Sequence, residues 1–96
     1  MKKHGKEWHS DMMSHVEQFF NEHEYIVERE PRLNYGTGDL YVFKNGERPI
    51  FIEIGTTSLY KLLYNLSTMV GSDFLLIPKE NSAIEFSVLR SNYPLS

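Results

Sequence analysis

The run Arg48 to Gly55 (RPIFIEIG) constrains the fold of this chain more than any other segment. Ile50, Ile52 and Ile54 alternate with Phe51, Glu53 and Gly55, which is the period of a β-strand. The aliphatic set must be buried, so Glu53 points to the other side of the sheet. The preceding run Asp39 to Phe43 (DLYVF) divides the same way, with Leu40 and Val42 on one face and Asp39, Tyr41 and Phe43 on the other. Joining the two aliphatic sets into one buried face sends Asp39 and Glu53 to the same opposite face. Hydrophobic patterning alone makes this pairing.

The turn between the strands carries a conflicting signal. Asn45-Gly46 favours a two-residue type I′ hairpin, which would set Asp39 opposite Ile52 and mix the faces. A shift of one residue exposes a whole aliphatic row, so burial overrules the turn preference. The expectation is an odd loop, Lys44-Asn45-Gly46 with Gly46 left-handed. Asp39 then lies opposite Phe51 and Glu53 one diagonal step away, roughly 7–8 Å at the backbone.

Around this hairpin the pattern predicts a helix over Lys6 to His23, with Trp8, Met12, Val16, Phe19 and Phe20 at helical spacing. A short strand over 24–30 follows, then turn chemistry over 31–38. Thr56 to Val70 reads as a second helix, with Thr56 or Thr57 as N-cap, Gly71 as C′ residue and a stripe of Leu59, Leu62, Leu63, Leu66 and Met69 or Val70. Strands over 74–78 and 83–89 close the chain. The order is α-β-β-β-α-β-β, an α/β fold with a mixed sheet flanked by helices. Strand 48–54, helix 56–70 and strand 74–77 make a parallel βαβ unit. At 96 residues the chain is a single domain, 1–96, with one modest core.

No apolar run approaches the roughly 20 residues needed to cross a bilayer, so no membrane partner is expected. No apolar stretch follows the basic N-terminus MKKHGKEWH, and the expected location is intracellular, in the cytoplasm. With no cysteine, disulfides and thiolate metal sites are excluded. The net charge of −3 means that any nucleic-acid contact rests on a local basic patch. His4, His9, His15 and His23 lack zinc-site spacing and read as solvated helix residues.

The segment GDLYVFKNGERPIFIEIG resembles the PD-(D/E)XK nuclease core, a superfamily that includes archaeal Holliday junction resolvases and many restriction enzymes. Asp39 matches the first acid of the motif, with Gly38 where proline is commoner, and Glu53 matches the second. In element order the likeness extends over residues 6–78. It implies a restriction endonuclease-like α-β-β-β-α-β core, a DNA substrate and a Mg²⁺ or Mn²⁺ cofactor held by Asp39 and Glu53. Gly55 stands where the family carries its lysine, and the candidate replacement is Lys61 on the following helix. Glu30 is the candidate for a further metal ligand, with Glu28 as its alternative and Glu17 on the first helix as another. Arg29 and Arg32 are the candidate phosphate contacts, and Tyr35 and Tyr41 the candidate base-stacking side chains. The resemblance also implies a homodimer, for which Met13 and Tyr64 lie outside the main helix stripes. The other reading is a nuclease-fold protein that has lost catalysis and binds nucleic acid or a protein.

Overall fold

The order of elements follows from where apolar residues recur and where serine, proline and glycine interrupt them. The structure, a computed structural model, describes residues 5–33 and 36–91. The expectations for Lys2, Lys3, His4, Asn34 and Tyr35, and for the side chain of Leu59, lie outside the described residues. Helix α1 (Lys6–Glu22) is followed by β1 (Ile26–Arg29), β2 (Leu40–Phe43), β3 (Ile50–Ile54), α2 (Leu59–Leu66), β4 (Asp73–Lys79) and β5 (Ser82–Ser87). The five strands form one mixed sheet in the order β1-β2-β3-β4-β5. Only the β3–β4 pair is parallel. It is the pair bridged by α2, as a parallel connection requires.

Helix α1 covers one face. Met13, Val16 and Phe20 pack on Leu40, Val42, Ile52 and Ile54, with Ile50, Leu75 and Ile77 at the margin. Leu40 and Val42 have no exposed surface at all. The α1 stripe is rotated from the one the sequence suggests: Met13 is buried, whereas Phe19 is half exposed, its ring against Phe20 and His23. Met13 therefore offers nothing to a dimer surface. The other face carries a second cluster, in which Leu62 and Met69 meet Phe74, Phe51, Leu76 and Phe86.

The β2–β3 hairpin pairs Leu40 with Ile52, Tyr41 with Phe51 and Val42 with Ile50. This register leaves five residues, 44–48, in the loop rather than three. Its length is still odd, so the aliphatic and acidic faces stay separate. The two extra residues have a local cause. Glu47 N donates to Lys44 O at 3.3 Å, closing a turn through Gly46 at φ +84°. Pro49 has no N–H with which to extend the ladder toward the turn. Arg48 is drawn the other way: it donates to Asp73 Oδ1 (2.9 Å), Ser72 O (2.8 Å) and Val88 O (3.1 Å).

Helix α2 is shorter than its apolar stripe suggests. Ser58, not Thr56 or Thr57, is the N-cap, its Oγ accepting from Lys61 N at 3.0 Å. After Leu66 the hydroxyls of Ser67 and Thr68 donate to Tyr64 O and Asn65 O, and turns closed by Thr68 N and Met69 N replace the helix. Side chains that bond nearby carbonyls compete with helical continuation. Among the described residues no helix is long and apolar enough to cross a membrane.

Leu40→Ala empties the most enclosed position between α1 and the sheet. We expect a loss of about 2–5 kcal/mol in urea unfolding.

Candidate functional site

Beyond the Leu40–Ile52 pair the regular ladder stops, because the backbone N of Asp39 bonds to Ile52, the partner of Leu40, as at a β-bulge. The diagonal placement expected from a three-residue loop is therefore not what is found, yet Asp39 and Glu53 lie close enough for the charge of one to act on the other. Both side chains are mostly enclosed, with 18% of Asp39 and 12% of Glu53 exposed.

The chain leads into Asp39 through a narrow excursion from Pro31 to Gly38. Leu33 N donates to Gly36 O at 2.9 Å, Gly38 N donates to Pro31 O at 2.9 Å, and Arg32 and Thr37 bridge as in an antiparallel pair. Asp39 is then held on both sides: its N donates to Ile52 O (3.2 Å) and its O accepts from Glu30 N (2.8 Å). Its carboxylate finishes the β2–β3 ladder, because Oδ2 accepts from Ile54 N at 2.7 Å. The other oxygen, Oδ1, lies 3.2 Å from His9 Nε2 on α1.

Lys61 arrives from α2. Its Nζ lies 3.6 Å from Glu53 Oε2 and donates to Thr37 O at 3.2 Å. The side chain crosses Gly36 closely enough that a Cβ there would sit 3.6 Å from Lys61 Cε. The Gly36-Thr37-Gly38 turn thus does two things, presenting Asp39 and seating the lysine. Gly55, at the motif's lysine position, has φ +98° with open space around it. Conformation, not crowding, disfavours a side chain there, since L-residues are strained at positive φ. A lysine arriving from the next helix avoids that strain.

Burial holds the Glu53 carboxyl above its ordinary value of 4.5, and the charge of Asp39 adds to the effect. Lys61, by charge and hydrogen bond, and His9 act in the opposite direction and offset it only in part.

The other expected residues are placed as follows. Glu30 is exposed at φ +53° and touches the pair through its backbone N. Glu28 is exposed on β1. Glu17 is committed to Arg29, whose Nε and Nη2 both donate to its Oε1 at 2.9 and 2.7 Å. Arg29 pairs with Leu40 and so stands on the α1 face, away from the face of Glu53. Arg32 is exposed and lines a groove with Tyr41 and Phe51 on the Glu53 face. Tyr41 is half-buried, its ring 4.5 Å from that of Phe51 and 5.2 Å from that of Phe43. Among the described residues no three His, Asp or Glu side chains are gathered to hold a metal.

His9 is the residue that sequence reading missed. It has no motif spacing, and its approach to Asp39 depends on how α1 lies across the sheet, which periodicity does not encode. Comparison with family models, with curated proteins and with solved structures finds no match for this chain. The site is therefore read from its own geometry.

The raised Glu53 value has a testable sign. Above pH 4.5 the unfolded chain has released this proton while the native state retains it, so native stability falls as pH rises through that interval. Glu53→Gln removes this dependence. In metal-free urea unfolding the variant should gain on the wild type between pH 4 and pH 7, with the larger difference at pH 7.

Proposed function

We propose that this chain is a metal-dependent phosphodiester hydrolase acting on DNA, built on a restriction endonuclease-like core. The observation that carries the reading is the approach of Lys61 Nζ to Glu53, a carboxylate that also feels the charge of Asp39, while Gly55 stands where the resemblance puts a lysine. The element order supports the same reading, with β1, β2 and β3 as an antiparallel meander and β4 parallel to β3 after α2.

Two carboxylates are a fitting donor set for a hard cation. Mg²⁺ is commonly held by one or two carboxylates, with water and substrate phosphate completing its shell. Bound there, Mg²⁺ or Mn²⁺ would supply Lewis acidity and an activated water. The protein's own groups have separate parts. Asp39 and Glu53 offer oxygens from two strands whose spacing the ladder fixes. Ile54 N and His9 hold the Asp39 carboxylate in one orientation, which is the pre-organisation an active site requires. Lys61 places an ammonium beside Glu53, where it stabilises charge developing on a phosphoryl oxygen or orients the attacking water. Such an enzyme works inside the cell, where its DNA is.

A second reading, a nuclease-fold protein that binds without cutting, is favoured by one specific feature. Both Asp39 oxygens already have protein partners, a satisfied arrangement with a purely structural rationale.

Incubation with plasmid, single-stranded and branched DNA in Mg²⁺ or Mn²⁺ separates the two. Asp39→Asn keeps an acceptor for Ile54 N while removing the charge, and with Glu53→Gln it should abolish cleavage. Lys61→Ala should slow it by about 10²–10³-fold, the usual cost of losing one charge-stabilising donor. Salt-dependent binding with no cleavage by the wild type selects the second reading. The proposed homodimer draws support from Tyr60, Leu63 and Val70, each more than half exposed around α2 and the turn after it. Light scattering should give twice the mass of 11.3 kDa.

A further inference from the structure

Glu53 and Phe51 stand two residues apart on β3 and share a face, so the rung next to the acids is aromatic. Tyr41 and Phe51 are paired, with ring centroids 4.5 Å apart. Two residues along a strand span roughly 6.6–6.8 Å, about the length of one extended nucleotide. The two rings line a groove of about 210 Å³ together with Arg32, Leu33, Thr68, Met69, Val70 and Ser72. That volume is below the roughly 300–1,000 Å³ of pockets that enclose a whole small molecule. It suits one ring system of a larger ligand. The lining combines ring surface with hydroxyls and a guanidinium, as single-strand binding sites do.

Arg32 differs from the other arginines beside the sheet. Arg29 is tied to Glu17, and Arg48 is tied to Asp73 and two carbonyls. The Arg32 side chain makes no hydrogen bond or ion pair with another described residue, and it is exposed at the groove's rim. With a net charge of −3, a local cation next to an aromatic floor is the arrangement that lets this chain hold a polyanion.

From this juxtaposition we infer that the Arg32–Tyr41–Phe51 groove is a subsite for one unpaired nucleotide, adjoining the acidic pair. The base lies against Tyr41 and Phe51, and Arg32 holds a neighbouring phosphate. Duplex bases are stacked on each other and cannot present a face to the groove, so the substrate strand is single-stranded at this point. This rests on the nuclease reading only for what happens to the adjoining phosphate; the binding stands separately.

The test is fluorescence anisotropy with 5′-fluorescein-labelled dT12 and a 12-base-pair duplex, in EDTA so that nothing is cut. The wild type should bind dT12 at least about tenfold more tightly than the duplex. Arg32→Glu should weaken dT12 binding about tenfold or more, and Tyr41→Leu about fivefold or more. Arg32 is exposed, so its variant reports on binding even if Tyr41→Leu fails to fold, which circular dichroism detects. Duplex binding as tight as dT12 binding, no binding of either, or an unchanged affinity in Arg32→Glu would overturn the inference. Arg32-dependent dT12 binding by a chain that cleaves nothing in Mg²⁺ upholds the groove and rejects only the hydrolase. Cleavage without any Arg32 dependence of binding does the reverse.

Discussion

Burying Leu40, Val42, Ile52 and Ile54 against α1 decides which way every other side chain of the hairpin faces. Those four positions are almost free of solvent, and moving any one row outward would expose several aliphatic groups at about 1.5–3 kcal/mol each. Tyr41, Phe51 and Glu53 inherit the opposite face as a consequence, while Asp39, just before β2, is reached by His9 from α1. The acidic pair, the aromatic rung beside it and the approach of Lys61 from α2 all depend on that parity. Chemistry on one side of the sheet is specified by hydrocarbon on the other.

Parity was legible in the sequence because strand period is an integer and the aliphatic rows are unbroken. The loop length was less so. Asn45-Gly46 looks like the centre of a tight turn, whereas the real constraint comes from Arg48, whose partners Asp73, Ser72 and Val88 lie 24 to 40 residues downstream. A non-local anchor of that kind leaves no trace in the local pattern. The same holds for the rotated stripe of α1: Met13 and Phe19 exchange roles because helix orientation on a sheet is set by packing, not by the spacing of apolar residues. The premature end of α2 was written locally, in Ser67 and Thr68, but the continuing apolar stripe through Met69 masked it.

Lys61 and His9 show the two extremes for the site itself. Lys61 is nominated only by the resemblance, which looks for a lysine on a neighbouring element when Gly55 supplies none, and it does lie 3.6 Å from Glu53. His9 could not be nominated, since its contact with Asp39 joins residues 30 positions apart through the tilt of α1. Arg29 stands apart from the acids. Its strand parity puts it with Leu40 on the α1 face, where Glu17 holds it with two hydrogen bonds.

The left-handed backbone at Gly55 restricts where a cation beside Glu53 can come from. At φ +98° any β-carbon is strained, so a side chain gained there would require the bend between β3 and α2 to be rebuilt with it. The first turn of α2, where Lys61 stands on ordinary helical backbone, carries no such strain. The torsion at one glycine thus assigns the neighbouring charge to the helix rather than to the end of the strand.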